Sequence, residues 1–127
     1  MLKILVVNTL DNSLRNLVAP FRKSADIGVS VVETGNQALI NLSSETFNLV
    51  VAAQELHDMS GLDLIKKIVA ANPMVNCAVA SDLAPKEFHE ASEGLGILMQ
   101  LPAFPKTEHA EALLNQVQDI FNLLAQD

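Results

Sequence analysis

Three carboxylates, Glu55, Asp58 and Asp63, fall close together in the middle of the chain, with His57 among them. Acids at such spacing on a turn are the groups that hold a hard cation or act as acid or base. The other reactive side chains are scattered: Asp11, the single Cys77, Ser81, His89 and His109. Spacing weighs against most of them. The three histidines are far apart and form no metal-binding pair. His57 alone is on the central turn; His89 and His109 read as surface residues. Asp11, one acid among neutral neighbours, is a poor ligand set for a hard cation. Ser81 has no histidine near it in sequence to act as its base. Cys77 lies inside an apolar run, where a free cysteine behaves as a small buried hydrophobe. The segment VVNTLDNS carries no glycine, which counts against a phosphate-cradling dinucleotide loop.

The elements that must position these groups are legible from periodicity. The stretch Phe47 to Ile68 begins with an apolar run, Phe47 to Ala53, broken only by Asn48. Such a run fits a strand buried on both faces, as in a parallel sheet. A seven-residue turn, Gln54 to Ser60, follows, and then Leu62, Leu64, Ile65, Ile68 and Val69 recur at helical spacing. In an open α/β sheet the turn after a strand's carboxyl end is where ligands bind. Leu2 to Val7 reads as the first strand, and Asp11 is a plausible cap for the helix after it. Pro20 is expected to kink that helix or end its regular part. Strands follow at Gly28 to Glu33, Val75 to Ala80 and Gly96 to Leu101. Thr34 with Gln37, and Ser60 with Asp63, have the spacing of capping boxes. Short helices are expected after Thr34 and over Ala84 to Glu93. The last helix, from about Lys106 to Ala125, carries Ala110, Leu113, Leu114, Val117, Ile120, Phe121 and Leu124 on one face. Five strands alternating with five helices argue for βα units on a parallel sheet.

The chain has 127 residues, of which half are hydrophobic and 18% charged. That is enough for one domain with a real core and too few for two; a single domain over residues 1–127, with no linker within it, is expected. Net charge is −7, and the eight basic residues are not clustered. Direct nucleic-acid binding is therefore not expected, since phosphate neutralisation needs a concentrated basic face. A single cysteine forms no disulfide within the chain, no apolar run reaches the length of a membrane span, and the amino end has no signal-peptide layout. A cytoplasmic location is expected.

The sequence resembles a response-regulator receiver domain, the phosphoacceptor module of two-component signalling. The resemblance covers essentially the whole chain. It rests on LKILVV, on FNLVVAAQELHDMSGLDLIKKI, on NPMVNCAVAS and on GLGILMQLP. It implies a three-layer α/β/α sandwich, flavodoxin-like, with a doubly wound parallel five-stranded sheet of order 2-1-3-4-5. It also implies that the residue before Pro102 takes a cis bond.

The chemistry departs from that pattern. Where the family has an acidic pair after the first strand, this chain has Asn8 and Thr9. Where it has the phosphoacceptor aspartate, this chain has Ala53, and where it has a lysine, Leu101. The hydroxyl after the fourth strand persists as Ser81, and the aromatic switch position is Leu98. Mg²⁺ wants carboxylate and water oxygens, and a transferred phosphoryl group wants a cation. Neither is supplied, so no cofactor and no Mg²⁺ are expected. Carboxylates about 4 Å apart also repel by about 4 kcal/mol at an effective dielectric of roughly 20, and that cost is absent here. The expectation is a degenerate pseudo-receiver, not an enzyme, acting in a bacterial two-component phosphorelay through a protein partner and independent of phosphorylation. Two alternatives remain open: a regulated receiver using Asp58 or Ser81 as acceptor, and a small-ligand binder or enzyme at the strand ends. On the family's layout Leu10, Leu56, Met59, Leu101 and Phe104 surround the mouth of the pocket. They either fold inward and plug it or form a partly apolar contact surface. The face around Phe88, Leu98 and Met99 resembles the family's partner surface, with at most a weak homodimer expected there.

Overall fold

A computed structural model describes residues 2–8, 13–23 and 25–125, with side chains as far as residue 122. Ten elements alternate without exception: β1 (Leu2–Val7), α1 (Arg15–Arg22), β2 (Ile27–Val32), α2 (Gly35–Ser44), β3 (Leu49–Ala52), α3 (Gly61–Ala71), β4 (Asn76–Ala80), α4 (Pro85–Ala91), β5 (Met99–Leu101) and α5 (Thr107–Ala125). All strand pairs are parallel, in the order β2-β1-β3-β4-β5. The expected strand order and strand–helix alternation are thus what the chain adopts. Right-handed crossovers place α1 on one face when the chain steps from β1 to β2. The reversal toward β3, β4 and β5 puts α2, α3 and α4 on the other face. α5 returns to pack beside α1.

The three central strands are buried on both faces. Ile4, Leu5, Val6 and Val7 of β1, all four residues of β3, and Ala78 and Val79 of β4 have no exposed surface. This is why their sequences read as continuous apolar runs instead of alternating ones. β2 lies at the edge and stays half-exposed, with Val31 42% exposed. β3 is shorter than the apolar run predicts. Asn48 bonds Lys3 of β1 twice, its amide to the Lys3 carbonyl (2.8 Å) and its Oδ1 to the Lys3 amide (2.7 Å), and the strand proper begins at Leu49. β5 is shorter too, starting at Met99 and not at Gly96. Gly94 and Gly96 both take positive φ, 83° and 64°, and the chain winds through a turn before it can extend.

Both expected N-caps form, though neither closes the reciprocal bond of a full capping box. Thr34 Oγ1 accepts from the Gln37 amide and Ser60 Oγ from the Asp63 amide, each at 3.1 Å. Gln37 reaches back to the Glu33 amide (3.1 Å). The expected cap at Asp11 is different. α1 begins at Arg15, with Leu14 at the cap position and no side-chain cap bond from it. Asp11 itself lies outside the described residues. Leu14 is fully buried, so the start of α1 is fixed by an apolar anchor. Pro20 is buried within α1, and the helix ends two residues beyond it. On α5, Ala110, Leu113 and Val117 are buried as the stripe predicts, while Phe121 is 40% exposed. The side chain of Leu124 lies outside the described residues.

One expectation is corrected. The Leu101–Pro102 bond is trans, as are all other described peptide bonds. Trans is the lower-energy form by ~0.5–1 kcal/mol. Leu101 is fully buried with its carbonyl taken by the Ser81 amide (2.9 Å), so the strand leaves the sheet extended.

Candidate functional site

The carboxyl ends of β1, β3, β4 and β5 bring Asn8, Ala53, Ser81 and Leu101 to one rim of the sheet. Backbone bonds set their places: Ala53 N donates to Val7 O, and Ser81 N to Leu101 O, both at 2.9 Å. Thr9, the neighbour of Asn8, lies outside the described residues, as does Leu10. The four described positions are all buried: Asn8 4%, Ala53 1%, Ser81 6% and Leu101 0% exposed.

None of the four is poised for ionic chemistry. Asn8 Oδ1 accepts from the Leu14 amide (3.3 Å), so it fastens the start of α1 to the end of β1. Ala53 offers only a methyl group. Its carbonyl lies so close to Gly61 that a side chain at Gly61 would collide with it. That close approach seats α3 directly on the end of β3. Ser81 Oγ accepts from the Leu83 amide (3.1 Å) in a local turn. Leu101 is part of the apolar core. Among the described residues no three of His, Cys, Asp and Glu converge as a metal ligand set.

The apolar residues expected around the mouth divide. Leu56 is buried, 8% exposed, drawn in by a tight turn in which its amide donates to Met59 O (2.9 Å). Met59 is half-buried against Gly35, where an added Cβ would come within 2.5 Å of its Sδ. Phe104 is 69% exposed. Among the described residues of the group Phe104 is the exposed one, Met59 is half-buried, and Leu56 and Leu101 belong to the core. Beside Phe104 is a shallow cleft of about 220 Å³ lined by Ser13, Gln54, Glu55, Asp82 and Ala103 as well. A second, of about 250 Å³, opens between Gln54, Ser60, Leu62 and Ser81.

Asp58 has an occupation that the sequence pattern does not announce. One carboxylate oxygen accepts from the Gly35 amide and the other from the Asn36 amide, both at 2.9 Å. The loop after β3 thus caps the amino end of α2, where unpaired N–H groups and the helix dipole favour an anion. These two bonds hold the Asp58 carboxyl below its usual value, with a smaller effect from His57. His57, the histidine of the central turn, is exposed. Of the other two, His109 Nδ1 accepts from the Lys106 amide (2.9 Å) at the start of α5, and His89 is exposed on α4. Cys77 is buried on β4, and burial pushes its thiol up to about 12.

Three residues that sequence reasoning passed over hold the rim together. Gln54 and Asp82 pair reciprocally: Gln54 Nε2 donates to Asp82 Oδ1 (3.0 Å), and the Asp82 amide donates to Gln54 Oε1 (2.8 Å). Gln100 Nε2 donates to the carbonyls of Ser81 (3.3 Å) and Leu83 (2.9 Å). One signal was available. Gln54 and Asp82 each directly follow a strand-end residue, Ala53 and Ser81, on neighbouring strands.

No protein-family model and no curated protein matches the sequence. Solved structures match it in shape. The signal receiver domain of an HD domain-containing protein from Pseudomonas fluorescens Pf-5 superposes with a TM-score of 0.82 at 19% identity, covering 98% of this chain and 92% of that one. A two-component response regulator from Clostridium difficile gives a TM-score of 0.81 at 16% identity, over 96% and 99% of the two chains. A streptococcal protein described as one of a family of redox sensors evolved from two-component response regulators gives 0.80 at 18% identity, over 99% of this chain and 55% of that one. The architecture is the flavodoxin-like fold of response-regulator receiver domains.

Proposed function

We propose that this domain, with its receiver fold, is a signalling module that acts through a protein partner without being phosphorylated. The observation that carries the reading is the state of the rim: Asn8, Ala53 and Leu101 are neutral, buried and engaged in holding the fold. At these three positions a phosphoryl group meets no carboxylate to accept it and no lysine to balance its charge. The set also lacks the oxygens that a hard cation requires, so we read the domain as one that uses no Mg²⁺. It acts by contact, not by catalysis, in a two-component type of pathway in the bacterial cytoplasm. Phe104 is the exposed apolar residue beside the rim, and the half-buried Leu98 and Met99 with Phe88 form a second face for a partner or a weak homodimer. Nucleic acid is not proposed as a ligand, because the net charge is −7. Nor is a membrane: no described helix is long and apolar enough to cross one.

The geometry counts against the other acceptors. Both Asp58 oxygens are committed to backbone amides of α2, and the Ser81 hydroxyl is buried and engaged with the Leu83 amide. A redox role like that described for the streptococcal neighbour would need a reactive thiol, and Cys77 is buried with its thiol raised to about 12.

The test is a thermal melt with and without Mg²⁺ and a phosphate mimic, beside incubation with a small phosphodonor. A ligand at about 100 times its dissociation constant adds about 2.7 kcal/mol, several degrees for a domain of this size. The expected result is no shift and no phosphoryl incorporation, and Ala53→Asp alone should not restore incorporation. A shift of several degrees or a stable phosphoprotein overturns the reading.

A further inference from the structure

We infer that two glutamines latch the connection between β4 and α4, so that the rim of strand ends holds one arrangement instead of switching between two. The connection consists of Ser81 to Ala84, with Ser81 buried, Leu83 half-buried and Asp82 and Ala84 exposed. Its first three residues make six hydrogen bonds. Gln54, at the end of β3, uses both ends of its amide on Asp82 (3.0 and 2.8 Å). Gln100, on β5, uses one nitrogen on the Ser81 and Leu83 carbonyls (3.3 and 2.9 Å). The Leu83 amide returns to Ser81 Oγ (3.1 Å), and the Ser81 amide binds Leu101 O (2.9 Å). The loop is therefore tied to both neighbouring strands and to itself.

The character of the ties matters as much as their number. A surface loop usually satisfies its backbone with water and is free to move. Here the Asp82 amide and the Ser81 and Leu83 carbonyls are taken by side chains from the turn after β3 and from β5. Gln54 and Asp82 are complementary in donor and acceptor, which fixes the orientation of both. Moving the loop would break the pairs on both flanks together. As a statement about regulation the inference rests on the reading of a module that acts without being phosphorylated.

The test reads amide hydrogen exchange residue by residue in the whole chain. The amides of Asp82 and Leu83 should be protected in the wild type. Gln54→Glu keeps the size and one acceptor but loses the donor and sets a second carboxylate against Asp82. It should speed exchange at Asp82 by about tenfold or more. Adding Asp82→Asn reverses donor and acceptor across the pair and should return exchange to within about threefold of wild type. Such rescue would not follow if the single change merely loosened the fold. Gln100→Leu, which removes the other tie, should speed exchange at Leu83 and serves if Gln54→Glu does not fold. Unprotected Asp82 and Leu83 amides in the wild type would overturn the inference. So would a Gln54→Glu variant that exchanges like wild type, or a double variant that exchanges as fast as the single one. The measurement uses no Mg²⁺ and no phosphodonor. A failed latch therefore shows in exchange, and a failed functional reading shows in the melt.

Discussion

Gly61 offers the sharpest stability test, because two effects there point in opposite directions. Gly61→Ala should help the helix: alanine is favoured over glycine by up to ~1 kcal/mol, partly through the unfolded state. The packing says otherwise. A Cβ at Gly61 would collide with the carbonyl oxygen of Ala53 and sit 2.9 Å from Val79 Cγ2 and 3.2 Å from the Ala53 carbonyl carbon. The principal obstacle is backbone, so a rotamer change cannot relieve it. α3 must lift from the end of β3, and Leu64, Ile65 and Ile68, all buried, lift with it. Overpacking of this kind costs about 3 kcal/mol, which leaves a net loss of about 2 kcal/mol. Unfolding entropy for 127 residues is about 0.27 kcal/mol/K, so Tm should fall by about 7 °C. Melts followed by circular dichroism give the value. Gly94→Ala is the companion: its φ is 83° with nothing within 4 Å, so only backbone strain of ~1 kcal/mol is added. A Gly61→Ala protein that melts at or above wild type, or no lower than Gly94→Ala, would refute the packing argument.

Two further outcomes follow from titratable groups. The Asp58 carboxyl is held below its ordinary value of 3.8 by the Gly35 and Asn36 amides. A carboxylate of lowered pKa stabilises the fold above its unfolded value, and that stability is lost as pH falls through the folded value. The difference in urea-melt stability between wild type and Asp58→Asn should therefore be full near neutral pH and shrink below about pH 4; a difference that does not change with pH would refute the capping role. Cys77, buried with its thiol raised to about 12, should resist a thiol reagent at about pH 8 in the native protein and react once urea unfolds it, because the thiolate is the nucleophile. Labelling of the native protein at the rate of a free thiol would contradict the described burial.

What was legible in the sequence divides by range. The caps at Thr34 and Ser60 were readable because donor and acceptor lie three residues apart. The parallel βα alternation was readable because runs buried on both faces alternate with amphipathic helices, while the strand order came from the resemblance. The rim positions Asn8, Ala53, Ser81 and Leu101 were found through the resemblance, not through any local pattern. What escaped is long in range. Gln54 and Asp82 are 28 residues apart, and Asp58 binds amides 22 and 23 residues away. Polar residues on turns look solvated until the fold puts a partner beside them. For Leu56 the sequence left inward and outward both open, and a tight turn closed by its amide on the Met59 carbonyl accompanies the inward choice.

The pairing of Gln54 and Gln100 with the loop after β4 also bears on ionic strength. Separated surface charges weaken as salt screens them, over about 8 Å at physiological concentration. The donors here are neutral amides in direct contact with their acceptors, and of the groups involved only Asp82 carries charge. The strand ends are joined here by direct hydrogen bonds between neutral amides and their acceptors. The rim therefore presents much the same shape in dilute buffer as in concentrated salt, and a partner that fits it encounters a surface already formed.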